Sequence, residues 1–306
     1  TVERRCRNSS LMKSRLLFFL LLLVVQCGAQ DFPTFNSLSL TRQFYNPAYT
    51  GANEDGQITF LHRQQWLGIN GAPMSDLICG DLYLFEKQIG LGGYLFNDRS
   101  GSANQTDLFA TVAYHMKTGD DHKLSFGSRI GTTAYTAGLN KLQVWDPNDP
   151  VFSGPIGLSF IPKIGFGLYW HHTDWYAGIS LPDMVVIDIS DAFLDAVSGN
   201  SYLKRNYFAH AGGSLYLSNS WIAKPAALVK YYSGNGLTAD MQCGFQFQEK
   251  FLVGAGIRSN ISLYAFGKLA LKQSFWLHYS FEWHPLPMKY PSYGSHELGL
   301  NYNQLN

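Results

Sequence analysis

From about Gly56 to the C-terminus the chain is a succession of short segments in which apolar and polar residues alternate, rich in Tyr, Phe, Trp and Gly and bounded by turn-forming residues. A period of two is the mark of β-strands with two unlike faces. In Leu237 to Gln248 the residues Leu237, Ala239, Met241, Cys243, Phe245 and Phe247 interleave with Thr238, Asp240, Gln242, Gly244, Gln246 and Gln248. One face suits lipid and the other suits water, the pattern of an all-β, transmembrane antiparallel β-barrel of the outer membrane.

The long apolar run Leu16 to Val25 is preceded by Lys13 and Arg15 and followed by Cys27-Gly28-Ala29. It is too short to cross a bilayer as a helix, and its order of charge, apolar stretch and small residues is that of a secretory signal. Cleavage after Ala29 would give 1–29 as signal, 30–55 as a periplasmic N-terminal leader and 56–306 as barrel, with Thr1 to Leu11, ahead of Met12, read as an overextended start. Cys27 raises lipidation as an alternative. Val24-Val25-Gln26 lacks the small residue expected just before a lipidated cysteine, so the ordinary signal is preferred.

No second apolar helix follows, which excludes a helical membrane protein although 46% of the residues are hydrophobic. A secreted β-sandwich is the competing fold, since Cys79 and Cys243 alone remain after processing and give no disulfide framework. The 15% aromatic content and the number of strands argue against it. With 23 basic and 22 acidic residues the formal net charge is +1, so no bias toward nucleic acid follows.

Period-two segments fall near 57–66, 74–85, 88–97, 106–117, 122–136, 160–171, 175–181, 205–217, 221–232, 237–248, 251–258, 262–271, 274–283 and 295–303. This is about 14 strands, an even number as single-chain bacterial barrels require. Every second link is tight, for example Glu86-Lys87, His172-Thr173-Asp174 and Glu249-Lys250, whereas Ala137 to Phe152, Pro182 to Lys204 and His284 to Gly294 are longer. Short periplasmic turns and longer external loops would produce this sorting.

Alternation turns Phe275, Leu277, Tyr279, Phe281 and Trp283 to one face, with Ile164, Phe166, Leu168 and Trp170 doing the same in their segment. Arg63, Arg129, Lys163, Arg258 and Lys268 then point inward alongside Asp81, Asp107, Asp240 and Glu282. A lumenal ion-pair network or a filter for small solutes would use these groups. Two segments strain the pattern. His62 and Gln64 share a face with Ile58 and Phe60, and Pro225 is tolerable only near a strand end or bulge.

No catalytic constellation is present, so an enzyme is not expected, and neither is a cofactor. His171-His172 with Asp174 could suggest a metal site, but adjacent strand residues face opposite ways and a turn accounts for Asp174. His296-Glu297 lacks an HExxH continuation and reads as a rim or closure contact, with Glu297 inward. Gly90, Gly92 and Gly93 imitate a phosphate loop but lie in a strand, where close backbone approach or lumen space explains them. Tyr45-Asn46-Pro47-Ala48-Tyr49 reads either as part of a disordered leader or as a segment tucked into the barrel mouth.

Several blocks, in order, resemble the PorP/SprF family of Bacteroidetes outer-membrane proteins. These are Gln30-Asp31, Phe44-Tyr45-Asn46-Pro47-Ala48-Tyr49-Thr50-Gly51, Arg63-Gln64-Gln65-Trp66, Gly71-Ala72-Pro73 and Asp146 to Phe152. Gly167-Leu168-Tyr169, Tyr176-Ala177-Gly178-Ile179-Ser180, Lys224 to Lys230, Gly256-Ile257-Arg258 and Gly294-Ser295-His296-Glu297 continue the series. The chain departs from the family at Ala226, where a serine would be expected, and in continuing past Tyr302. The resemblance implies an accessory barrel of the type IX secretion system that assists secretion or surface anchoring of large proteins with a C-terminal sorting domain, such as gliding-related adhesins. Its partners would be outer-membrane lipid, periplasmic and outer-membrane components of that system, and the client. Leader and barrel contacts would fall on Asn46, Pro47, Tyr49, Gly51, Arg63, Trp66, His296 and Glu297. The alternative is a porin or transporter for small hydrophobic or polar solutes.

Overall fold

The structure is a computed structural model and describes residues 34–138, 156–186, 206–232, 236–259, 261–284 and 292–304. The signal expected over 1–29 and most of the two longest links lie outside the described residues. Fifteen strand segments build the wall. They are β1 (Gln57–Gln64), β2 (Met74–Leu84), β3 (Ile89–Ser100), β4 (Ala103–Lys117), β5 (His122–Ala137), β6 (Ile156–His172), β7 (Trp175–Val186) and β8 (Asn206–Gly213). They continue as β9 (Leu215–Tyr216), β10 (Trp221–Tyr232), β11 (Gly236–Phe247), β12 (Phe251–Arg258), β13 (Ser262–Lys272), β14 (Phe275–Trp283) and β15 (Ser295–Asn303).

β8 and β9 are parts of one strand broken at Ser214, and both pair with β10. The result is a closed antiparallel barrel of 14 strands. Closure is made by β15 on β1, in a register that sets Arg63 opposite Glu297 and Gln64 opposite His296. Pro225 of β10 stands beside the Ser214 break, where neither β8 nor β9 offers a ladder partner. Its missing N–H therefore costs no hydrogen bond.

The expected external loop starting at Pro182 begins later. β7 runs to Val186, and Asp183 is buried in the lumen, where its carboxylate lies 2.9 Å from Arg129. Proline is a poor guide here because β7 pairs with β8 only as far as Ser180 and meets β6 through an irregular register between Ile164 and Phe166. No ladder position needs the Pro182 N–H.

Outward faces carry the expected apolar residues, among them Ile130, Met241, Phe245, Val253 and Leu300, all exposed. Trp221, Phe247 and Phe251 cluster near the end where links are short, and Phe275 meets Tyr302 at the same end with ring centroids 4.8 Å apart. Such a belt belongs at a membrane interface. His62, a polar outward residue of β1, lies 2.7 Å from Asp76 across the ladder near the opposite rim.

Candidate functional site

The inward face is not the wholly wet surface that alternation suggested. Leu61, Leu77, Tyr94, Phe96, Phe109, Phe208, Leu228 and Tyr232 point inward and form one apolar cluster with Phe35, Leu38, Leu40, Phe44 and Tyr45 of the leader. From Thr34 to Gly51 every residue except Ser39 and Arg42 is buried. The leader is therefore a packed lumenal plug, and its burial supplies the hydrophobic stabilisation that an aqueous lumen would withhold from those wall residues.

Local chemistry shapes the plug. A single turn, α1 (Arg42–Tyr45), ends at Asn46, whose Oδ1 caps a 3-10 turn (Pro47–Tyr49) by accepting the Ala48 N–H at 2.9 Å. Pro47 starts that turn, where its missing N–H is harmless. The Tyr45 hydroxyl accepts the Phe35 N–H at 3.2 Å and folds the leader on itself. Burial pushes the Tyr45 phenol well above its usual pKa, so it stays protonated.

Three wall regions hold the plug. The first is a chain of buried charges near the closure seam. Lys230 lies 3.5 Å from Asp240, Asp240 2.5 Å from Arg258, Arg258 2.8 Å from Glu282, Glu282 2.5 Å from Arg63, Arg63 3.7 Å from Glu297, and Glu297 3.1 Å from His278. The leader completes it. Asn36 and Ser37 donate their N–H groups to Glu297 at 2.8 and 3.1 Å, Arg258 donates to Asn36 Oδ1 at 3.1 Å, and Lys230 donates to Thr34. Three cations, Lys230, Arg258 and Arg63, face three carboxylates, Asp240, Glu282 and Glu297, so the charges of these six buried side chains balance.

At the second region, Arg129 donates to Phe44 O at 3.2 Å, to Pro182 O at 2.7 Å and to the Tyr94 hydroxyl at 2.6 Å. Asn46 Nδ2 donates to Leu168 O at 2.9 Å and lies 3.0 Å from His210 Nε2. At the third, the Gly51 N–H donates to Asp81, and His115 Nε2 donates to Thr50 O at 2.9 Å. Gly51 reaches Asp81 through a left-handed conformation, φ +74°.

The glycines of the wall are the bed of the plug. A methyl group added at Gly127 would fall on the Ala48 backbone, one at Gly90 on the Thr50 carbonyl and one at Gly167 on the Asn46 side chain. This gives Gly90 the close-approach role expected of a strand glycine.

Of the residues singled out in the sequence, Arg63 and Glu297 share the charge chain, while Asn46, Pro47, Tyr49 and Gly51 are plug contacts. Tyr49 packs edge-on against Tyr169 at 5.5 Å. Trp66 and His296 belong elsewhere. Trp66 lies at the long-link rim, its N–H donating to Ser295 at 3.2 Å, and His296 faces outward to the Tyr279 hydroxyl at 2.8 Å. Sequence reasoning missed Asn36, Ser37 and Asp183. Asp183 lies three residues beyond Ser180, so strand parity alone would turn it outward, and the irregular register between Ile164 and Phe166 is what brings it into the lumen; residues 34–37 carry no periodicity.

Among the described residues no group of three or more His, Cys, Asp or Glu is placed to hold a metal ion. At the 173–174 turn the Asp174 N–H donates to His172 Nδ1 at 3.1 Å, as a turn contact would.

Over residues 27–302 the chain matches the sequence profile described as "Type IX secretion system membrane protein PorP/SprF". No curated protein sequence matches. Among solved structures, CdiB from Acinetobacter baumannii is similar with a TM-score of 0.46 at 6% identity, over 81% of this chain and 60% of CdiB. The chain thus spans less than two thirds of that protein. The CymD monoaromatic hydrocarbon channel gives 0.49 at 12% identity, over 90% of this chain and 95% of CymD. A triple mutant of the Rhodopseudomonas blastica porin gives 0.35 at 8% identity, over 81% and 98%.

Proposed function

The chain belongs to the PorP/SprF family of type IX secretion system membrane proteins, and from that membership we propose that it is a non-catalytic outer-membrane barrel assisting secretion or surface anchoring of large client proteins with a C-terminal sorting domain. Its short-turn end faces the periplasm and its long-link end the exterior, following the usual order in single-chain barrels. Clients engage the long links on the outer side, and components of the secretion system engage the periplasmic end.

The observation that supports a scaffold over a solute pore is the plug. Eighteen residues, Thr34 to Gly51, occupy the lumen, and sixteen of them are buried. Their polar groups are bonded to walls on opposite sides, from Glu297 in β15 to Arg129 in β5. A pore-lining segment would leave polar atoms to water. A rigid, filled barrel instead offers its loops and rims as contact surfaces.

The test is a deletion strain scored in parallel for surface display of large secreted proteins and for uptake of small solutes. Reduced display of one or a few clients with normal uptake is expected. Normal display with impaired uptake of a defined solute would establish the transporter reading in its place.

A further inference from the structure

Ser39 and Arg42, the two leader residues between Thr34 and Gly51 that escape full burial, both line one cavity of about 320 Å³ inside the barrel. The cavity opens between the 173–174 turn and the broken strand at Gly213–Ser214, at the short-turn end. Its charge is one-sided. Arg42 and Lys224 line it, and Lys268 stands at its edge with Nζ 3.2 Å from Ser39 Oγ. Asp174, at the mouth, is the one acidic lining residue among those described, and it lies 3.9 Å from His172.

Elsewhere in the lumen each buried cation has a carboxylate. Arg63, Arg129, Lys230 and Arg258 all form ion pairs, whereas among the described residues no carboxylate reaches ion-pair distance of Arg42, Lys224 or Lys268. Arg42 is held by aromatic faces instead, 4.1 Å from the Tyr176 ring centroid and 5.4 Å from that of Tyr49. Its Nε and the Nε2 of His171, another lining residue, are buried without a hydrogen-bond partner. Unpaired cations and orphaned polar atoms converging on a cavity are costly unless something occupies it.

We infer that this vestibule binds an acidic peptide segment of a periplasmic partner, with its carboxylates on Arg42, Lys224 and Lys268. A lipid headgroup has no route, because the strand wall separates the cavity from the bilayer. A free phosphate would satisfy the cations but leave the Tyr169, Tyr176 and Phe266 walls uncovered. Extended peptide satisfies both and enters from the mouth. At Ser214 the ladder to Lys224 and Pro225 is interrupted while the chain itself stays in place, the Ser214 N–H donating to Asp174 O at 2.7 Å, and Gly213 and Ser214 line the mouth of the cavity. The placement of this mouth in the periplasm rests on the orientation proposed above; the binding chemistry does not.

The experiment uses the purified full-length barrel in detergent at low salt, titrated calorimetrically with hexaglutamate, hexaglutamine and inorganic phosphate. Saturable binding of hexaglutamate is expected, weakening with added salt and exceeding that of phosphate, with none for hexaglutamine. The double substitution Lys224→Gln/Lys268→Gln should weaken it about ten-fold or more, while Lys117→Gln, at a short-turn rim outside the cavity, should not. Heat-modifiable mobility on gels confirms that each variant is folded. Absent hexaglutamate binding, salt-insensitive binding, equal binding by the double variant, or phosphate binding as well as the peptide would each overturn the inference. None of these outcomes alters the deletion phenotype, so the two readings fail separately.

Discussion

The Asn36 N–H donates to Glu297 at 2.8 Å across 261 residues of sequence, joining the start of the plug to the strand that closes the barrel. Glu297 is also opposite Arg63 in the closing ladder, so seating the leader and sealing the wall draw on the same carboxylate. Closure and plugging are thereby coupled events.

Glu297→Ala should accordingly damage both. It leaves His278 and two leader N–H groups without their acceptor and takes from Arg63 the second of its two carboxylates, in a site from which water is excluded. Removing one partner of a buried ion pair costs about 3–5 kcal/mol, to be read from urea unfolding of the detergent-solubilised barrel. A loss no larger than that of an exposed control such as Glu249→Ala would show that the charge chain does not hold the seam.

Gly127→Ala tests the plug alone. The added methyl collides with the Ala48 backbone, and neither a strand backbone nor a capped turn yields as a flexible side chain would. The leader should be displaced while the wall persists. A cysteine at Ala48, in a background with Cys79 and Cys243 replaced by serine, should be maleimide-resistant in the parent and reactive in the Gly127→Ala variant. Equal resistance in both would mean that the leader tolerates the methyl.

The lipid face offers a depth test. Met241 is mid-strand in β11 and exposed, whereas Phe245 lies two residues from the strand end. Met241→Arg should cost about 2–4 kcal/mol, and Phe245→Arg less, because the penalty falls to about 0–1 kcal/mol near the interface. Gln246→Arg, on the inward face by the mouth, should be milder still. Unfolding midpoints in lipid vesicles give the order, and equal values for all three would refute the register.

The wall was legible because a two-residue period repeats for every strand and each face has one solvent. Most strands were placed within a few residues of their observed ends, and the inward charges Arg63, Arg129, Asp240, Arg258, Glu282 and Glu297 followed from parity alone. Pro182 misled because a proline disturbs a strand only where its N–H is needed. The plug was harder to see. Residues 34–51 have no dominant period, and their conformation is dictated by side chains from strands far apart in sequence, such as Glu297, Arg129 and Asp81. A hint was present in the wall itself, where Tyr94 and Phe96 turn inward in a strand whose outward face is already apolar at Leu91 and Leu95. A face meant for water would not carry them.

Orientation is settled by two cysteines at opposite ends. Asn70 is exposed in the link between β1 and β2, and Asp120 is exposed in the tight turn between β4 and β5. In the cysteine-free background, Asn70→Cys should react with an impermeant maleimide on intact cells and Asp120→Cys only after lysis. Both ends of the barrel wall, Gln57 and Asn303, pair at the short-turn end, where a chain delivered from the periplasm can leave them without translocating either. The opposite labelling pattern would invert the barrel and place the cationic vestibule at the cell surface, where its acidic partner would have to be sought among secreted proteins.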